Sequence, residues 1–378
     1  MKTPLCRKLG CELPIFAFSH CRDVIVEVTK AGGFGVLGAS TFSPDQLEAE
    51  LRWIDQHVQG RPYGVDVLIP AAYDKAAEKS PEDLQQMIPQ AHRDFMENIL
   101  SEAGVAPLAA DDLANLREEL VNGRGSMTPD GARRLLRVAL EHSQVKLVVS
   151  ALGSPPPDVV LDLKARGVMV GAMCGKGEHA ARHKAAGVEL IVAQGTEAGG
   201  HTGDVATMVL VPQVVQAAGP DVFVLAAGGI AKGSQIVASL ALGAQGVWCG
   251  TLWLATRESE LDPFEKSVLF SARTEDAVRR KARTGKHVRM LKSRLSEAWE
   301  QEGAPPYLPT PLQGILYNEA HARVVRSKQK DLYSFPAGQV VGMLNEETTV
   351  RQVMVQLQEE YLETMGRLDQ LAAESDHE

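Results

Sequence analysis

The stretch Glu189-Leu-Ile-Val-Ala-Gln-Gly-Thr-Glu-Ala-Gly-Gly-His201 joins a short apolar run to a glycine-rich loop. The run 189–193 is typical of a buried β-strand, and the loop after it holds three glycines and ends at His201. Glycine accepts positive φ angles and close approach to a ligand, and histidine can exchange protons near neutral pH. A plain turn with a surface histidine is the alternative, so the interpretation depends on the rest of the chain.

The same alternation of strand and helix recurs along most of the chain. Apolar, strand-like runs lie at residues 13–18, 35–39, 63–69, 145–150, 168–172, 189–193, 222–226 and 246–250. Units of this kind repeated in order predict an α/β fold, a (β/α)8 TIM barrel. A doubly wound open sheet is the alternative, but no GxGxxG follows the first strand, where a dinucleotide fingerprint would lie.

This alternation is interrupted once and stops near residue 255. Residues 71–130 are charged and polar, and a connection of that length predicts an insertion with helices of its own. Helices are expected outside the barrel at 81–104, 111–122, 262–302 and 346–373. We therefore predict a barrel over 1–255 with this helical insertion, and a helical cap with a C-terminal helix over 256–378.

Composition and charge restrict the possible partners. The net charge of −9 argues against nucleic acid or an anionic membrane as the main partner. No apolar run is long enough to span a bilayer, and the first residues lack a secretory signal, so a cytoplasmic protein is expected. The cysteines show neither zinc-ligand spacing nor a CxxC motif, so we expect no metal site and no disulfide framework.

Two glycine-rich segments follow the last two predicted strands. Ala227-Gly-Gly229 and Cys249-Gly-Thr251 lie at carboxyl ends of strands, the edge where barrel enzymes place their active sites. Exposed main-chain N–H groups at such turns attract anions. The pair therefore indicates a phosphate site. Two tight strand-to-helix turns without a ligand are the alternative.

Several segments together carry a family resemblance. They are Pro14-Ile-Phe-Ala17, Ala31-Gly-Gly-Phe-Gly35, the 186–201 segment, Leu225-Ala-Ala-Gly-Gly-Ile230 and the 241–251 segment that ends in Cys-Gly-Thr. On these motifs the chain resembles the nitronate monooxygenase family, formerly the 2-nitropropane dioxygenases. The resemblance implies a non-covalent FMN in the barrel mouth and a catalytic role for His201.

Carried over by position, the resemblance also implies which residues contact the cofactor. The flavin contacts expected are Ala17, Phe18, Asp66, Gln194, Gly199, Gly200, Gly228, Gly229, Gly250 and Thr251. Of these, Gly228, Gly229, Gly250 and Thr251 would hold the phosphate. His201 would act as the base that removes the α-proton of a neutral nitroalkane.

Three functions remain open on the sequence. The first is an FMN-dependent monooxygenase that oxidises alkyl nitronates with O2 to carbonyl compounds and nitrite. The second is an FMN reductase that uses NAD(P)H on a quinone or an enone. The third is a non-catalytic flavin-binding barrel. Small molecules are the expected partners in each case, with a homodimer possible.

Some residues depart from the family pattern or have uncertain roles. Asp66 stands where an asparagine is common, Met173 where some relatives carry a lysine, and His20 adds a polar group at the rim. Lys232 is expected either beside the phosphate or in solvent. Trp248 and Trp253 are interpreted as packing residues, and Arg283, Lys286 and Arg289 as a solvated helix face or an entry for an anionic substrate or a pyridine-nucleotide phosphate.

Overall fold

The barrel predicted from the sequence is present. The computed structural model describes residues 1–69, 81–117 and 128–375. Its barrel strands are β1 (Ile15–Ser19), β2 (Phe34–Gly38), β3 (Tyr63–Val67), β4 (Val145–Ser150), β5 (Met169–Cys174), β6 (Leu190–Gln194), β8 (Phe223–Ala227) and β9 (Gly246–Cys249). They pair in parallel in this order, and β9 pairs with β1 to close the barrel. The chain is therefore a (β/α)8 TIM barrel.

Helices surround the barrel and extend beyond it. Within or before the barrel they are α1 (Pro4–Leu9), α2 (Arg22–Lys30), α3 (Pro44–His57), α4 (Pro81–Gln86), α5 (Gln90–Glu102), α6 (Pro129–Ala139), α7 (Pro157–Ala165), α8 (Gly177–Ala185), α9 (Thr207–Ala218) and α10 (Gly233–Ala241). After the barrel they are α11 (Pro263–Ser271), α12 (Arg294–Ala298), α13 (Leu312–Ser327) and α14 (Val350–Ser375). Every helix among the described residues is too short or too polar to cross a lipid bilayer.

Local sequence signals explain where these helices begin. Helix α3 starts with a capping box, in which Ser43 Oγ accepts from the Gln46 amide at 3.2 Å and Gln46 Oε1 accepts from the Ser43 amide at 2.8 Å. Pro44 follows at the first helical position, where a missing N–H costs nothing. Leu47 and Leu51 then fall on the buried face. The capping box and the proline therefore set the start of α3 at Pro44.

The barrel interior is a packed core toward the amino ends of the strands. Phe16 and Phe34, near the starts of their strands, are fully buried, with ring centroids 5.1 Å apart. Leu5 and Leu9 of α1 pack into the same cluster, so α1 closes the amino end of the barrel. The carboxyl ends of the strands form the open mouth, where ligands bind in this fold.

The segment after the barrel is not helical throughout, so the prediction of helix across 262–302 is wrong in part. Strands β10 (Ala277–Arg280) and β11 (Val288–Leu291) pair antiparallel, and β11 pairs in turn with the two-residue strand β7 (Gly200–His201). In sequence, short strands with charged flanks look like an exposed helix. Here the main chain makes its hydrogen bonds to neighbouring strands instead of within a helix. The result is a three-stranded sheet over the mouth.

The insertion and the last helix agree with expectation with small differences. The predicted helix 81–104 is broken into α4 and α5, and Pro89 is the N-cap of α5. Residues 110–117 are also helical, whereas the remainder of the predicted helix 111–122 lies outside the described residues. Helix α14 begins at Val350 rather than at 346 and packs mainly against α10. The domain boundary near 255 stays a prediction.

Candidate active site

Side chains from several strands face the barrel mouth. Phe18 at the end of β1 and Met173 near the end of β5 pack against the interior cluster. Asp66 lies between Val65 and Val67, whose side chains belong to the outer layer under the helices. Because side chains alternate along a strand, Asp66 faces the interior. These three side chains form the upper layer of the barrel interior.

The same alternation gives the side-chain directions of Gln194 and Ala17, two residues predicted to contact the flavin. Gln194 faces inward, because Leu190, four residues earlier in β6, belongs to the interior cluster. Ala17 is fully buried in the layer between strands and helices, so its side chain points away from the mouth. The structure therefore brings Phe18, Asp66 and Gln194 to the mouth, whereas a ligand there can meet only the main chain of Ala17.

The two glycine turns offer unpaired main-chain donors. Gly228 and Gly229 have φ angles of 100° and 73°, in the left-handed region that favours glycine. Among the hydrogen bonds within the described part of the chain, none uses the N–H of Gly228, Gly229, Gly250 or Thr251 as donor. Half-buried N–H groups without acceptors fit the oxygens of a phosphate. The Thr251 hydroxyl is already engaged, since its Oγ1 accepts from the Gly338 amide at 2.8 Å.

Asp66 is a buried carboxyl group with an unsatisfied oxygen. Its exposed fraction is 3%, and Oδ2 has no hydrogen-bond partner in the structure. Burial raises the pKa of this carboxyl to about 7, so the group carries a proton over much of the range below neutrality. A protonated carboxyl can donate a hydrogen bond as an asparagine amide does. Asp66 thus fits a ligand that presents an acceptor to the barrel interior.

Replacing Asp66 by asparagine is expected to stabilise the cofactor-free protein more at pH 8 than at pH 5. The folded pKa of about 7 lies above the ordinary aspartate value, so the wild-type protein loses stability as pH rises between the two values. Asparagine does not titrate, and the difference in free energy of unfolding should therefore grow by about 1–4 kcal/mol from pH 5 to pH 8. Urea unfolding at both pH values measures it. The exposed Asp111→Asn change is the control, and an equal gain for Asp66→Asn at both pH values would contradict the assignment.

His201 lies in the small sheet over the mouth. Strand β7 pairs its residue His201 with Val288, and His201 Nε2 lies 3.0 Å from Thr284 Oγ1. Water reaches the imidazole, yet protein atoms crowd its other sides. This desolvation lowers the pKa of His201, and the positive charges of Lys286 and Arg283 lower it further. The imidazole is therefore neutral near pH 7 and able to accept a proton.

The loop that carries His201 is tied to the phosphate turn. Both carboxylate oxygens of Glu197 accept from the Thr207 amide, at 3.1 and 3.0 Å. The Thr207 hydroxyl lies 2.8 Å from Glu197 Oε2 and 2.9 Å from the carbonyl oxygen of Gly228. Sequence reasoning gave these two residues no role. Glu197 stands inside the quoted motif, whereas Thr207 carries no local signal because its partners come from two different loops.

Gly199 lets the same loop pack against the C-terminal segment. A Cβ at position 199 would lie 2.8 Å from the carbonyl carbon of Ala337 and from the nitrogen of Gly338. The Gln339 amide also donates to the Glu197 carbonyl at 2.9 Å. The close approach at Gly199 is therefore to protein. A contact of Gly199 with the flavin stays a prediction, whereas at Gly200 a Cβ would meet nothing within 4 Å.

Replacing Gly199 by alanine is expected to destabilise the protein by about 1–3 kcal/mol, because main-chain atoms cannot yield as a flexible side chain does. Urea unfolding measures the change. The matched control is Gly366→Ala, since Gly366 lies in α14 and a Cβ added there would meet nothing within 4 Å. That change should stabilise the helix by about 0.5–1 kcal/mol. An unchanged unfolding midpoint for Gly199→Ala would rule out this tight contact.

The structure gives Lys232 and Arg289 partners that the sequence did not indicate. Lys232 Nζ forms an ion pair with Glu360 of α14 at 3.0 Å, and its side chain stays partly exposed. Arg289 is buried in β11, where its Nε donates to the Thr196 carbonyl at 2.7 Å. The interpretation of Arg289 as part of a solvated helix face is therefore wrong. A buried arginine satisfied by carbonyl oxygens leaves no trace in local sequence.

The aromatic residues at the rim have packing roles. Phe18 and Trp248 are stacked with ring centroids 5.8 Å apart, and the rings of His20 and Phe18 form a T-shaped pair with centroids 5.2 Å apart. His20 Nδ1 lies 2.9 Å from the Gly38 carbonyl oxygen, and the residue borders a cavity of about 570 Å³ beside the mouth. Trp253 is buried and donates from Nε1 to the Cys249 carbonyl at 2.7 Å. Packing is confirmed for Trp248 and Trp253.

Comparison with known proteins bears on the family. The family model described as nitronate monooxygenase matches residues 20–360. A Mycobacterium tuberculosis protein with a provisional monooxygenase name is 46% identical, with 98% of this chain and 99% of that protein covered. A Staphylococcus aureus protein provisionally named nitronate monooxygenase is 28% identical, with 89% of this chain and 91% of that protein covered.

Solved structures agree in fold. Nitroalkane oxidase from Streptomyces ansochromogenes superposes with a TM-score of 0.76 at 25% identity, covering 96% of this chain and 99% of that one. FabK from Thermotoga maritima superposes with a TM-score of 0.72 at 24% identity, covering 98% and 99%, a likeness that concerns the fold alone. The family match spans most of the chain. The chain therefore belongs to the nitronate monooxygenase family and is a flavin-dependent oxidoreductase.

Proposed function

We propose that this protein is an FMN-dependent monooxygenase that converts alkyl nitronates and O2 to carbonyl compounds and nitrite. The observation that carries the proposal is a neutral, water-accessible His201 held over the same mouth that presents unpaired amides for a phosphate. The family match and the nitroalkane oxidase neighbour support the same reaction class.

The choice of FMN rests on the phosphate turns. The four free N–H groups follow β8 and β9, and no GxGxxG fingerprint for a dinucleotide follows β1. A mononucleotide flavin satisfies the cradle with one phosphate. Phe18, Asp66 and Gln194 would then border its ring from the barrel interior. When bound, FMN supplies the electron acceptor and the reactivity with O2.

His201 performs the proton chemistry in this proposal. A neutral nitroalkane must lose a proton from the carbon next to the nitro group, and a neutral imidazole can take it. The hydrogen bond between Nε2 and Thr284 orients the ring and leaves Nδ1 available. A substrate supplied as the nitronate needs no such step, so His201 would then only position it.

A parallel anaerobic titration tests the proposal against its rivals. The purified protein is expected to show a flavin spectrum and to release FMN on denaturation. The bound flavin should bleach on addition of an alkyl nitronate in the absence of O2. Bleaching by NADH or NADPH alone would instead identify an FMN reductase of a quinone or an enone. No bleaching by any donor would identify a non-catalytic flavin-binding barrel.

A further inference from the structure

A guanidinium group beside His201 lacks a counterion. Arg283 follows β10, and its Cζ lies 5.5 Å from the ring centroid of Tyr317. Its Nη1 is buried and makes no hydrogen bond. Burying a charge without a partner is costly, so proteins normally pair such groups. The described residues therefore leave Arg283 without a counterion and its Nη1 without an acceptor, while Tyr317 contacts the rest of the group.

Three nearby basic residues have carboxylate or carbonyl partners, which the described residues do not give Arg283. Arg279 pairs with Asp204, and Lys292 pairs with Asp276. Arg289 is held by carbonyl oxygens. Within residues 1–69, 81–117 and 128–375, no ion pair includes Arg283. The exposed Lys286 adds positive charge without enclosing a site.

Arg283 lies next in sequence to the residue that contacts His201. The next residue, Thr284, contacts His201 Nε2 at 3.0 Å, and the loop connects the two strands that cover the mouth. The Arg283 charge also lowers the pKa of His321, after the larger effect of burial. The charges of Arg283 and Lys286 also act on His201, so positive charge lies beside this histidine, and Nη1 of Arg283 is a donor that the described residues leave open.

We propose that Arg283 binds the negatively charged oxygens of the substrate, so that the site favours planar oxyanions of the nitronate type over neutral nitroalkanes. The planar fork of a guanidinium matches two oxygens on one atom, which a nitronate presents. The identity of the oxyanion rests on the proposed function, whereas the anion site itself does not. A neutral nitroalkane that His201 deprotonates would acquire the same partner as its charge develops.

Nitrate is a suitable probe, because it is planar, singly charged and not turned over. Calorimetric titration of nitrate into the purified holoprotein should show weaker binding for Arg283→Met by about 10- to 100-fold, the usual effect of losing a hydrogen-bonded charge. Arg283→Lys should be intermediate, because it keeps the charge and loses the fork. Lys286→Met, the matched control for general potential, should change nitrate affinity by less than about 3-fold.

Thermal unfolding separates this role from a structural one. Arg283→Met removes a partly buried cation that has no counterion among the described residues and keeps an apolar side chain against Tyr317, so its melting temperature should equal or exceed that of the wild type. Unchanged nitrate affinity in Arg283→Met would overturn the proposal, as would an equal loss in Lys286→Met. Nitrate binding needs no turnover, so an enzyme that binds nitrate through Arg283 but leaves nitronates unoxidised would refute the proposed function and not the anion site.

Discussion

Replacing His201 by asparagine is expected to lower kcat/KM for a neutral nitroalkane by about 10²- to 10⁴-fold, the usual contribution of a positioned general base. The same change should lower kcat/KM for the preformed nitronate by less than about 10-fold, because no proton transfer remains to be catalysed. Asparagine keeps a polar side chain of similar size in β7. Steady-state rates with a nitroalkane and with its nitronate, in one enzyme preparation, measure both effects.

The pH dependence of kcat/KM tests the role of His201 independently. Burial and the charges of Lys286 and Arg283 hold the pKa of His201 below its ordinary value. The base form therefore persists to lower pH than usual, and kcat/KM for the neutral nitroalkane should rise with pH through a pKa below about 6.5 and then level. This rise of kcat/KM with pH should be absent when the nitronate is the substrate.

Thr284→Val serves as the matched control for orientation. It removes the hydroxyl that lies 3.0 Å from Nε2 but leaves the imidazole in place. We expect a smaller loss than for His201→Asn, and only with the neutral substrate. An equal loss for nitroalkane and nitronate in His201→Asn would show that the histidine binds substrate and does not act as a base.

The barrel was predictable because its signals are local. Each strand is a short apolar run, and the glycine turns after β8 and β9 mark positions where the main chain takes positive φ or stays open. Gly228 and Gly229 are such positions, and the structure leaves their N–H groups unpaired. Strand ends at one barrel edge then place Phe18, Asp66 and Gln194 together by topology alone.

The remaining features depend on contacts between distant segments. The sheet formed by β7, β10 and β11 exists because three short segments pair, and none of them has a strong strand pattern of its own. Gly199 approaches Ala337, and Lys232 pairs with Glu360, each across more than a hundred residues of chain. A local pattern cannot indicate which partner a glycine or a lysine will meet. The burial of Arg289 likewise depends on segments that are distant in sequence, as does the lack of a counterion for Arg283 among the described residues.

Replacing Gly250 by alanine is expected to weaken FMN binding by about 10- to 100-fold while leaving the cofactor-free protein as stable as the wild type. The nearest atom to a Cβ at this position is Phe18 Cδ1 at 3.8 Å, an ordinary contact, so the fold accommodates the methyl group. That methyl would occupy space beside Phe18 and next to the free N–H groups of Gly250 and Thr251. A phosphate seated on those groups would have to withdraw. Quenching of FMN fluorescence on titration with cofactor-free protein measures the affinity.

Gly243→Ala is the matched control for Gly250→Ala, because it should give the opposite result. Gly243 has a φ of 95°, and its Cβ would lie 2.9 Å from Val215 Cγ1, so alanine strains the fold at the amino end of β9, away from the mouth. We expect lower stability in urea and unchanged FMN affinity for that variant. If Gly250→Ala keeps wild-type affinity for FMN, the phosphate does not bind at the turn after β9.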